Sequence, residues 1–235
     1  MPRPPGHGPD FELRRQAIID QAAVLFATKG YAATSISDIC RQVNLGKGAL
    51  YHYIGSKENL LIEIQNRVLA PLLRETERIN ATDVSAMVRL RVLSQYLLTV
   101  IFERLDHIWV YEHDYRHLSK PNRARVLAQR HEFENFVRSM LEEAMDAGEL
   151  TRADPKLAML QFLNLHNHTF QWARPNLPWS PSDLSVVYYR TLMLGFGAET
   201  AMVRQAESTA GRIMAGRTPQ LVANQPVKLV DPVRI

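Results

Sequence analysis

Residues 34–60 read TSISDICRQVNLGKGALYHYIGSKENL, and the punctuation of this stretch decides the fold. Thr34 and Ser35 are good helix N-caps, and Asp38 sets an acid in the first turn that follows. Ile36, Ile39 and Val43 then recur at helical spacing. Asn44-Leu45-Gly46 breaks that helix, and residues 47–53 make a second short one. Gly55 interrupts again before Ser56-Lys57-Glu58-Asn59 caps a long helix running through Leu60, Leu61, Ile64 and Val68. Two short helices joined by a tight turn are the helix-turn-helix layout, whose second helix enters the major groove of DNA.

The spacing assigns the faces. Ile36, Ile39 and Val43 turn inward, Leu45 plugs the turn, and Leu50 with Ile54 anchors the second helix. Lys47, Gly48, Tyr51 and His52 are left together on the other side. They supply a cation, a residue small enough for close approach, an amphipathic aromatic ring and a small ring donor, which suits phosphates and base edges. Lys57 adds charge at a helix start, where backbone amides already favour phosphate. Thr34, Ser35 and Gly46, at the helix starts, complete the expected DNA-facing set.

Working outward, the chain of 235 residues has room for one or two domains and a sizeable core. Residues 1–10 hold four prolines and two glycines and read as a flexible arm. The helix-turn-helix domain is expected over 11–60, a ligand-binding and dimerisation domain over 61–207, and a mobile tail over 208–235. Beyond residue 80 no strand-like alternation occurs. Helical patterns run over 84–105, 107–118, 122–147, 156–172 and 182–204, with Asp154-Pro155 and Ser180-Pro181 as marked starts and Gly148 as a stop. An all-α protein of about nine helices is expected.

The net charge of +4 is uneven: residues 1–60 carry +2, 61–207 carry −1 and the stretch from Ser208 carries +3. Basic ends around a neutral body suit an anionic partner. The single cysteine, Cys40, excludes an intrachain disulfide and a cysteine-based zinc site, and reads as a small core hydrophobe. No apolar run approaches the roughly 18 residues of a membrane helix. Met1-Pro-Arg-Pro-Pro-Gly lacks the order of a secretory signal, so a cytoplasmic protein without membrane association is expected.

Residues 12–62 resemble the DNA-binding domain of TetR-family transcriptional repressors. The likeness rests on Thr34, Ile36, Asp38-Ile39, Lys47-Gly48, Leu50-Tyr51-His52-Tyr53 and Ser56-Lys57-Glu58. Departures are Asn44 for the usual turn glycine, Gly46 for a small N-cap, Cys40 for alanine, and Ile54-Gly55 for Phe-Pro. The resemblance implies a homodimer on a palindromic double-stranded operator, released when a small molecule binds the remaining helices. A second, looser likeness spans Tyr111 to Leu118, Trp172-Ala-Arg-Pro and the Leu-Ser-Val-Val-Tyr-Tyr helix. It points to the repressors of fatty-acid or steroid breakdown that sense acyl-CoA thioesters.

The second half offers further candidates. HIWVYEHDYRH, at 107–117, places His113 and His117 four apart, a spacing that could hold a metal on one helix face but lacks a third ligand. No Gly-x-Ser-x-Gly turn or paired nucleophile is present, so no catalytic residue, metal or cofactor is assigned. A helical metal-dependent enzyme built on this cluster and a ligand-free architectural DNA binder are the rival readings. Phosphates of an acyl-CoA need arginines, and Arg116 and Arg174 adjoin large aromatic residues. With Trp109, His113, His117, Asn167 and Trp172 they form the candidate effector set; a neutral hydrophobic or aromatic effector would not need the cations. Leu160, Asn164, Val187, Tyr188, Thr191 and Gly195 are the candidate dimer contacts, on two helices, the second ending in Gly195, Gly197 and Ala198, which permit close approach.

Overall fold

The structure, a computed structural model, describes residues 9–174 and 176–216. Among them are eleven α-helices, one 3-10 turn and no strand. Contacts gather the described residues into two compact units: 9–68 with 106–126, and 69–105 with 127–216. This division departs from the boundary at residue 60 read from the sequence, because residues 106–126 return to the first unit.

The first unit holds α1 (Pro9–Lys29), α2 (Ile36–Val43), α3 (Lys47–Ile54), the start of α4 (Lys57–Asn80) and most of α6 (Leu105–His113). It also holds the 3-10 turn Tyr115–His117 and the first residues of α7 (Lys120–Asp146). Its core is Ile18, Ala22 and Phe26 of α1, Ile39 of α2, Leu50 and Ile54 of α3, and Leu60, Leu61 and Ile64 of α4. A buried ionic group ties the elements together. Asp20 accepts from Arg67 and lies 3.3 Å from His107 Nε2.

The second unit is built on α5 (Ala86–Glu103), which packs on α10 (Pro181–Gly195), α11 (Thr200–Ala215), α8 (Pro155–Asn167) and the single turn α9 (Thr169–Trp172). Leu90, Leu93, Leu97, Leu98 and Ile101 of α5 are all buried, as befits a helix apolar on nearly every side. Both marked starts form as the sequence implied. Asp154 accepts from the backbone of Lys156 and Leu157, and Ser180 makes a reciprocal capping box with Asp183.

Three expectations are corrected. The pattern over 156–172 is two helices, because the chain turns at His168 between α8 and α9. The pattern over 182–204 is also two. Gly197 adopts φ +85°, and a side chain there would collide with Thr151, so the glycine ends α10 rather than lubricating a packed helix. Finally, α11 runs to Ala215, so residues 208–215 are helical and not tail. Residues 1–8 of the expected arm and 217–235 of the expected tail lie outside the described residues. No helix among the described residues is long and apolar enough to cross a membrane.

Candidate nucleic-acid interface

The helix-turn-helix is set by local hydrogen bonds. The Ser35 hydroxyl accepts from the Asp38 amide at 3.1 Å, while Asp38 accepts from the Ser35 amide at 2.8 Å. Lys29 Nζ reaches the same carboxylate at 2.7 Å. The lysine, then the Ser35 amide and hydroxyl, hold the Asp38 carboxyl well below the usual carboxylate range. Asn44 closes α2 in the left-handed region at φ 52°, ψ 53°, and Leu45 N–H bonds Cys40 O at 3.0 Å. Asn44→Val is therefore expected to lower stability by about 1–2 kcal/mol, while Asn44→Gly should hold or raise it, as thermal denaturation would show. Arg14 Nη2 caps the same helix end by donating to Val43 O at 2.9 Å. Cys40 is half-buried with a free thiol.

Helix α3 buries Leu50 and Ile54 and presents Lys47, Gly48, Tyr51 and His52 outward. Tyr51 is 45% exposed. Gly46 and Gly48 have open space where a Cβ would stand, so each leaves room outside the protein rather than filling a tight spot within it. Phe11 braces the helix from α1, stacking on Tyr53 at 4.6 Å and meeting His52 edge-on at 5.4 Å. The outward face is thus cationic and aromatic on a pinned frame.

Two residues named from the sequence have other tasks. Thr34 is 1% exposed, and its hydroxyl donates to Gly30 O at 2.8 Å, so it builds the turn before α2 and has no free face for DNA. Lys57 is half-buried: its ammonium donates to Tyr31 O and sits 4.1 Å from the Tyr31 ring centre. That burial pushes its pKa down. Three contributors were not recognised from sequence. Arg41, at the end of α2, is a second exposed cation beside Lys47. Phe11 and Arg14 act from α1, some 30–40 residues upstream of what they brace.

The start of α4 also meets the 106–126 segment. Glu58 accepts from Ser119 N–H at 2.8 Å and from Asn122 Nδ2 at 2.9 Å, and these bonds lower its pKa. Tyr31 stacks on His117 at 5.5 Å. His113 lies flat on Trp109 at 4.4 Å, and Arg116 Nε donates to His113 O at 2.8 Å. Because α6 stops at His113 and His117 falls in the 3-10 turn, the two histidines do not share the helix face that the four-residue spacing suggested.

In the second unit, Leu163, Phe170 and Leu184 are buried, whereas Leu160 (39% exposed), Val187 (57%) and Leu194 (44%) face outward with Asn164, Thr191 and Gly195. Tyr188 is half-buried and its hydroxyl meets Thr169 Oγ1 at 3.0 Å. Asn167 is half-buried, while Trp172 and Arg174 are exposed.

A pinned two-helix reader carrying an exposed cationic and aromatic recognition helix defines a DNA-binding regulator of the helix-turn-helix class. Residues 18–64 match the family described as bacterial regulatory proteins, tetR family, and residues 83–196 match the tetracyclin repressor-like C-terminal domain. The chain belongs to the TetR family of transcriptional regulators. It is 28% identical over 168 residues to the HTH-type transcriptional repressor KstR2 of Rhodococcus jostii, covering 69% of this chain and 80% of that protein. Among solved structures, the TetR regulator PfmR of Thermus thermophilus superposes with a TM-score of 0.70 at 29% identity, over 75% of this chain and 97% of that one. AibR, solved with isovaleryl coenzyme A and operator DNA, has a TM-score of 0.69 at 23% identity, over 79% of this chain and all of that one.

Proposed function

We propose that the protein is a cytoplasmic repressor that binds a palindromic operator as a homodimer and is released by an acyl-CoA thioester. The observation that carries the DNA reading is the outward set Lys47, Gly48, Tyr51 and His52 on a helix braced by Phe11, with Arg14 capping the helix before it. Ser35 and Gly46 present backbone at the helix starts, and Lys57 acts by holding Tyr31 as much as by its charge. The two-fold pairing uses the outward apolar residues of α8 and α10, because a single short recognition helix reads too few base pairs. The effector class is supported by the isovaleryl coenzyme A bound to AibR, and the repressor reading by the likeness to KstR2. The candidates fall into two sets taken separately: Arg116 with Trp109, His113 and His117 in the first unit, and Arg174 with Trp172 and Asn167 in the second, each offering a guanidinium for phosphate and a ring for flat or apolar parts.

The test is fluorescence anisotropy on DNA flanking the protein's own gene, over a salt series, with and without CoA thioesters. Tyr51→Ala should weaken binding by about 1–3 kcal/mol without loss of stability, because its ring is exposed. Lys57→Ala should lower both the salt slope, by about one phosphate contact, and the thermal midpoint, because it also releases Tyr31. Operator binding unchanged in both variants would refute the recognition-helix assignment. Release by an uncharged hydrophobe and by no thioester would replace the effector class and leave the repressor reading intact.

A further inference from the structure

Three helices of the second unit, α5, α10 and α11, enclose an open cleft of about 470 Å³. Each contributes residues one helical turn apart: Arg91 and Gln95 from α5, Val186 and Arg190 from α10, Glu207 and Gly211 from α11. None of the residues proposed above for the acyl-CoA lines it. Its volume falls within the usual range for small-molecule sites.

The charges in the cleft do not balance. Arg190 grips Glu207 with two bonds of 2.8 Å, Nε to one carboxylate oxygen and Nη2 to the other. That pair is self-sufficient. Arg91 is 4% exposed, and among the described residues its Nε and Nη1 have no hydrogen-bond partner; its Nη2 has only a long 3.5 Å contact to Gln95 Oε1. Two residues earlier on the same helix, Arg89 also has a partnerless Nε, but its guanidinium has a carboxylate partner in Glu143, which Arg91 lacks. A buried guanidinium with idle donors and no carboxylate of its own is costly, and apolar side chains of similar size usually serve a fold better. The arginine at 91 therefore points to something outside the protein.

The cleft itself says what. Two guanidiniums and one carboxylate leave a surplus of a single positive charge, which suits a monoanion better than a phosphate dianion. The guanidinium fork matches a carboxylate in shape. Beside it, Val186, Met214 and Ala215 offer aliphatic wall, and Gly211 has open space where a Cβ would stand. We propose that this cleft is a second effector site that takes a small organic monocarboxylate with a short aliphatic tail, headgroup on Arg91 and tail along α11.

The experiment is thermal shift and calorimetry on the full chain without DNA, so its outcome does not depend on the operator reading. Sodium octanoate is the probe and octanamide its uncharged counterpart. Octanoate should raise the melting temperature and bind with a dissociation constant of roughly 1 mM or tighter, whereas octanamide should do neither. Arg91→Met should bind octanoate at least about tenfold more weakly, having lost the charge-assisted bonds. Gly211→Leu should also abolish binding by filling the cleft. It is expected to fold, because a Cβ there has open space and leucine favours helix more than glycine does. No response of the wild type to octanoate, or an equal response of the wild type and the Gly211→Leu variant, would overturn the proposal.

Discussion

Gly195→Trp is expected to yield a folded chain that runs as a monomer and binds operator at least about a hundredfold more weakly than the wild type. The reasoning starts from what the position does inside one chain, which is nothing. A Cβ at Gly195 meets no atom within 4 Å and the residue is exposed, so an indole there is expected to point outward and spare the core of α5 and α10. On the same face of α10, however, Val187 and Thr191 recur at helical spacing and Leu194 adjoins, all outward, as Leu160 is on α8. An apolar surface of this kind, contiguous with glycine, lets a second helix approach closely, and a bulky ring there holds it off. A monomer keeps one recognition helix and half of the contacts, which is why the loss should be orders of magnitude rather than a few-fold. Light scattering with circular dichroism separates a folded monomer from an unfolded chain. Val187→Glu should behave alike by placing a charge on the same surface. A Gly195→Trp protein that remains dimeric at micromolar concentration would place the interface elsewhere.

How much of this was legible in the sequence depends on the reach of each interaction. The reader itself was legible because its determinants are local. Ser35 and Asp38 bond across three residues, Asn44 is the sole non-glycine residue described at positive φ, and Ile39, Leu50 and Ile54 announce the inward face. Thr34 was misjudged because a threonine before a helix can cap it or turn back. Here it turns back to Gly30, and only the packing of α1 decides between the two. Glu58 was overlooked since its partners Ser119 and Asn122 lie more than sixty residues away. Gly197 carried two meanings, a small packing residue or a helix end, and the clash with Thr151 selects the second. The idle donors of Arg91 leave no trace in the sequence, where one arginine of an amphipathic pattern reads like another.

The other large effect concerns pH, and it follows from one buried histidine. His166 is fully buried in the second unit, with Nδ1 2.7 Å from Phe162 O and Nε2 2.7 Å from Ser94 Oγ. A carbonyl only accepts, so Nδ1 carries the proton, and Nε2 accepts from the serine hydroxyl. Protonating Nε2 would only reverse that bond, the serine hydroxyl turning to accept, but it would place a cation among Phe162 and Tyr188. Burial above all, with the nearby Arg91 charge adding to it, pushes the His166 pKa down to about 4 from 6.5. In the unfolded chain the ring takes its proton near the ordinary value, so between pH 6.5 and 4 the unfolded state binds more protons than the folded one. The contribution of His166 is then complete above pH 6.5 and falls as the pH drops toward 4, by roughly 3 kcal/mol over the window, while the burial-raised carboxyls of Glu103, Asp106 and Asp114 offset part of it. The lowered carboxyls of Asp38, Glu58 and Asp183 lose their contributions at lower pH still, so the two effects separate. Urea denaturation at fixed protein concentration and stepped pH measures the slope directly. His166→Gln, which offers an amide donor and acceptor but no titration, should flatten the curve between pH 6.5 and 4.5. A wild-type curve already flat in that window, or a variant curve as steep as the wild type's, would show that His166 does not set the acid sensitivity of the effector half.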